Sequence, residues 1–157
     1  MADRRSVTRG QSLVEFALIL PVLLTLVGAV ADVARLYSAW VTLEAATRDA
    51  AEYAATNATT ASDALADARS VVCAQASGLA GYVGTPGDPD SCTQPSVSLV
   101  SFGLSATAPG ASTNYPIATV TVQVVLPFQT LFPYPLFTQN GAWSLGSTRT
   151  YSIVQGR

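Results

Sequence analysis

The sequence predicts an α+β protein: a long N-terminal helix, part transmembrane and part amphipathic, and a second short helix packed on a small antiparallel sheet. Three observations carry this. An apolar run near the N-terminus continues unbroken into a helical pattern, and an alanine-rich stretch repeats the helical spacing. After a turn region dense in Pro, Gly and Asp, apolar and polar residues alternate towards the C-terminus. Helices first and strands afterwards is the α+β order.

The first helix starts from its apolar core. Sixteen consecutive uncharged residues, Phe16 to Ala31, follow Glu15. Counted from Gln11 to Ala31 the segment spans roughly 31 Å as a helix, enough to cross a bilayer's hydrocarbon core. Arg4, Arg5 and Arg9 precede it and mark the cytoplasmic side, so the remainder lies outside the membrane. Pro21 removes one helical hydrogen bond and is expected to bend the segment, which membrane helices tolerate. Glu15 stands out, because an ionisable group at membrane depth costs at least ~2.5 kcal/mol. It either snorkels to the headgroup boundary or has a partner. Ala29-Val30-Ala31 offers a signal peptidase a cut before Asp32, but the helical pattern runs straight through it. Retention of the helix is the favoured reading.

Beyond the bilayer, Leu36, Trp40, Leu43, Thr47, Ala50 and Ala54 recur at helical spacing as one stripe, with the charges mostly elsewhere. The stripe serves either the protein's own core or neighbouring subunits. The second helix falls within Thr56–Ser77, with Thr60 and Asp63 as its capping pair and a stop near Gly78 or Gly81. The expected division is a basic leader (1–10), a transmembrane helix (11–34), an amphipathic extension (35–57) and an exported α+β domain (58–157).

Three strands follow. Val97 to Phe102 is the first candidate, and Ile117 to Leu126 alternates with Val120, Val122, Val124 and Leu126 on one face. In the last, Trp143, Leu145, Tyr151 and Ile153 share a parity that Ser147 and Arg149 interrupt. The segment Pro127 to Phe137 reads as a connecting loop carrying Phe128, Phe132, Tyr134 and Phe137 among three prolines. It is either a flap over the core or an apolar contact surface for a partner subunit or the membrane.

Composition narrows the functions. All eight basic residues are arginine, and beyond Gly10 five arginines face nine acids, a net of −4. Nothing there offers the clustered cations that nucleic acid requires. Cys73 and Cys92 lie on the exported side, where thiols oxidise, and are expected to pair; two free cysteines are the alternative. Asp88 and Asp90 lack the remaining oxygen ligands of a calcium loop and read as turn residues. With no histidine, no nucleophile elbow and no phosphate loop, neither catalysis nor a cofactor or metal is expected.

Gly10-Gln11-Ser12-Leu13-Val14-Glu15-Phe16 resembles the prepilin peptidase site of type IV pilins, in which a glycine ends a short basic leader. Cleavage there would make Gln11 the first residue, with Glu15 four positions on and Phe16 beside it. The longer run Arg9 to Val22, then Asp32, Arg35, Leu36 and Tyr37, then Ala45 to Ala54, looks like the start of TadE-like and TadG-like proteins. These are minor pilins or pseudopilins of the tight-adherence (Flp/Tad) pilus. A weaker echo is seen in Val120-Thr121-Val122, Pro127-Phe128 and Arg149.

The resemblance implies a pilin-like fold, processing at Gly10 and Gln11, and assembly contacts through Glu15 and Phe16. Its implied partners are other pilin or pseudopilin subunits, the pilus machinery, a prepilin peptidase and the lipid bilayer. The place it implies is the bacterial cytoplasmic membrane, single-pass with the N-terminus inside, or a surface pilus. The competing reading is a single-pass anchored surface protein that binds a partner without entering a filament.

Overall fold

The computed structural model describes residues 7–105, 117–131 and 142–154. Its elements run in the order α1 (Val7–Asn57), α2 (Ala61–Ala76), β1 (Ser96–Ser105), β2 (Ile117–Gln129) and β3 (Ala142–Val154). The architecture is α+β, as the sequence predicts, with both helices against an antiparallel sheet of order β1-β2-β3.

Helix α1 has 51 residues, about 77 Å of helix at the standard rise. It continues through Pro21, and also through the Ala31–Asp32 bond that a signal peptidase would cut. In its apolar part the hydroxyl of Thr25 is satisfied by donating to the Val22 carbonyl at 2.8 Å. Helix α2 starts at Thr60, whose side chain accepts from the Asp63 amide at 3.2 Å, the capping arrangement expected from sequence.

The core is built mostly from small residues on the helices and branched ones on the sheet. Leu43, Ala50, Ala51, Ala54 and Ala55 of α1 meet Ala64, Ala68 and Val72 of α2, and the layer closes on Val120, Val122, Val124 and Leu126 of β2. Alanines at the helix–helix seam let the two backbones approach closely, so the narrow core leaves room for the sheet. Thr47 is fully buried, and its hydroxyl donates to the Leu43 carbonyl at 2.6 Å.

The expected stripe on α1 is corrected at one position. Trp40 is 45% exposed and the buried face runs instead through Ala39, Leu43, Ala46 and Ala50. The face turns toward alanines because α2 packs there and leaves no space for an indole. Trp40 instead lies beside Tyr37, with ring centroids 6.3 Å apart.

The sheet register explains its irregular patterning. Leu99 pairs with Val122 and Ser101 with Thr121, so Val100 is an extra residue in a β-bulge. The bulge shifts parity, allowing Val97, Leu99 and Phe102 all to pack on the core. On the opposite face Ser101, Thr121 and Thr150 form a hydroxyl ladder, at 2.8 and 2.9 Å.

Strand β2 is longer than its alternation suggested and takes in Pro127, Phe128 and Gln129. Since β1 pairs only as far as Val125, β2 is an edge strand beyond that point, where proline costs no ladder bond. Gly81 fills the vacated edge. Its φ is +101°, and a Cβ there would lie 1.9 Å from the Pro127 carbonyl oxygen.

Candidate functional site

The outstanding surface is the N-terminal half of α1. Leu13, Val14, Phe16, Leu18, Ile19 and the large apolar residues that follow as far as Val33 are exposed. The most apolar window of the helix has a mean hydropathy of 2.5, yet only 6% of it is buried within the protein. A core helix of that composition would be covered by its own fold. This one is long and apolar enough to cross a membrane.

Within this surface Glu15 lies one turn beyond Gln11, whose side-chain amide donates to the glutamate Oε1 at 3.5 Å. Side chains of a helix lean towards its N-terminus, so the carboxylate points back at the Gln11 end. Among the described residues no cation pairs with it. Phe16, next to it, is 59% exposed. Gly10 is helical and stands one residue before Gln11.

The second feature is a junction where the apolar run ends. Asp32 is 5% exposed, and its carboxylate accepts from the Leu131 amide at 2.9 and 3.2 Å. Arg35, one turn on, pairs with Asp32 at 3.3 Å and holds its guanidinium 5.5 Å from the Phe128 ring centre. The end of β2 is thereby tied to α1 at the edge of its membrane-length segment.

Phe128, which the sequence left open between a flap over the core and an apolar contact surface, is 1% exposed. It belongs to β2, in the inward-facing series that includes Leu126, and is covered by α1 and Arg35. Its contact-surface role is therefore withdrawn. Phe132, Tyr134 and Phe137, the other three aromatics of that segment, lie outside the described residues.

A third cluster links α1 to β3. Glu44 pairs with Arg149 and accepts from the Ser147 hydroxyl at 3.0 Å. Ser147 and Arg149 face inward with Leu145 and Tyr151 because a helix carboxylate waits there. The sequence places Glu44 among the charges lying mostly away from the apolar stripe and shows Ser147 and Arg149 only as an interruption of the β3 pattern. Two polar residues at inward parity were the signal, but only the fold names their partner, more than a hundred positions away. Beside the pair an open groove of about 600 Å³ runs between α1 and β3.

Cys73 and Cys92 are bonded, with Cα atoms 6.1 Å apart, and both are buried. The bond pins the turn segment to α2, assisted by Arg69, which donates to the Cys92 carbonyl. Asp88 is engaged in that turn, accepting from the Asp90 amide at 3.1 Å. No group of three or more potential metal ligands exists among the described residues.

The exposed apolar helix with its glutamate, and the acid–arginine pair that follows, lie within one stretch that the family model for TadE-like proteins matches, over residues 10–52. This segment is similar to TadE-like proteins. The match begins at Gly10 and ends in the alanine-rich turns of α1 that pack on α2. It thus covers the membrane-length half of α1, Glu15, Asp32, Arg35 and Glu44, and leaves the sheet outside. No curated protein and no solved structure matches the chain.

Proposed function

We propose that the chain is a minor pilin or pseudopilin of a tight-adherence pilus, held in the cytoplasmic membrane by α1 with its sheet domain outside. The TadE-like match supports association with that pilus system. The observation that carries the finer reading is the exposed, membrane-length face of α1 with Glu15 inside it and, among the described residues, no cation paired with it. A buried carboxylate without a counter-charge is costly, and a neighbouring subunit's new N-terminal amine, created by cleavage after Gly10, would neutralise it. Glu15 and Phe16 then set the packing between subunits, while the leader and prepilin peptidase serve only maturation. The same reading assigns the protein no catalysis and no cofactor.

The test is a chromosomal Glu15→Gln substitution beside a deletion. The deletion is expected to abolish piliation and surface attachment. The substitution is expected to leave expression and membrane insertion intact while reducing assembly, measured as sheared pili and co-purification with the pilus machinery. Wild-type piliation in the deletion strain, with no co-purification, would refute the reading. Normal assembly with Glu15→Gln would leave α1 as a plain anchor and favour a surface protein outside the filament.

A further inference from the structure

Measured back from Ala31, a bilayer core of about 30 Å ends near Ser12, so Asp32 stands at the outer boundary of the hydrocarbon. At that same level the structure ties down the end of the β2–β3 pair. The Leu131 amide bonds to Asp32, and Phe128 lies against Arg35. Trp143 is the register partner of Phe128 and so sits one strand spacing away. Among the described residues at this end, Leu131 is 59% and Trp143 48% exposed. Residues 132–141, which join them, contain no charged residue.

From this level we infer that the exported domain rests on the outer leaflet, with Leu131 and Trp143 entering the lipid interface as a second membrane contact. The occupant is lipid because the site is fixed, through Asp32, to the point where an exposed apolar helix leaves the bilayer. Its chemistry suits that depth: an indole, a leucine, and an Asp32 whose charge is turned inward onto Arg35 and the Leu131 amide. A contact at this point would restrain the domain against swinging about α1 and orient the sheet relative to the membrane. The inference rests on the reading of α1 as membrane-spanning.

The chain's two tryptophans provide the test. Trp40 is also exposed, but it stands eight residues beyond Asp32 on α1, about 12 Å further from the bilayer. The full chain is reconstituted into phosphatidylcholine vesicles carrying bromine near the headgroup end of the acyl chains, as Trp40→Phe and as Trp143→Phe. A third sample, Leu20→Trp with both native tryptophans replaced by Phe, reports on the helix from vesicles brominated towards the chain ends, the depth of residue 20 in a spanning helix. Quenching of Trp143 about twofold or more stronger than that of Trp40, with a blue-shifted emission, is expected. Asp32→Ala, which unties Leu131, is expected to bring Trp143 quenching down towards that of Trp40. In the unsubstituted protein the same contrast appears as an emission quenched only in part.

If the Leu20→Trp sample is quenched while Trp143 and Trp40 are equally unaffected, the helix spans and the second contact does not exist. That result leaves the Leu131–Trp143 end to a protein partner. If none of the three is quenched, the membrane-spanning reading itself falls, and this inference with it.

Discussion

Asp32 and Phe128 occupy two levels of one junction, the first held by charge and hydrogen bonds, the second by packing. Truncating Phe128 to Ala should empty the inward face of β2 beneath Arg35 and cost about 3–5 kcal/mol in chemical unfolding. Solvent exposure of that ring, which the sequence alone allowed, would instead give a change near zero. Asp63 offers a pH signature. The hydroxyls of Thr60 and Thr59 hold its carboxyl below the ordinary value of 3.8, so its contribution favours the folded state when ionised. That contribution is present above the unfolded value and is lost as pH falls through the lowered one. An Asp63→Asn variant should therefore be less stable than wild type at neutral pH, and the gap should close as the pH drops below about 4. A gap independent of pH would contradict the capping role.

At the level of elements, the cysteine pair joins α2 to a turn that has few other ties to it. The bond closes a loop with a sequence separation of 19, for which chain-entropy arguments give about 3 kcal/mol. Replacing Cys73 and Cys92 by Ser should lower the unfolding free energy by that order. A negligible change would mean the turn is held by Arg69 and its own hydrogen bonds. Gly81 is the other tie, and Gly81→Ala should destabilise by about 1–3 kcal/mol, because its backbone conformation suits glycine and the Pro127 carbonyl blocks a side chain. Both helices were legible in sequence, since their periodicity, the Thr60 cap and the Gly-rich stop are local signals. So was the central strand up to Leu126. Its extension through Pro127 was not, because proline reads as a break unless one knows that β1 ends opposite Val125. The bulge at Val100 was hidden for a similar reason: parity along one strand shifts only when the partner strand is known. Glu44, Ser147 and Arg149 make a pair-wise argument across the whole chain, and no local pattern encodes it.

For the whole molecule, an apolar helix face exposed along its membrane-length half sits on a domain cored by alanine and valine. The two halves of α1 differ in their surroundings: the large apolar residues from Leu13 to Val33 are uncovered on a segment long and apolar enough to cross a membrane, while Ala39 to Ala55 carry the face packed on the protein itself. The match to the TadE-like family model spans this change along α1 and stops before the sheet. The proposed processing at Gly10 would link the sequence motif, Glu15 and the membrane-length helix, and it is read directly from the intact mass of the protein extracted from its native membranes. A chain starting at Gln11 is the predicted result, which places a new amine one helical turn from Glu15. A chain starting at Asp32 would contradict membrane retention and filament assembly together, and one starting at Met1 would contradict pilin-type maturation.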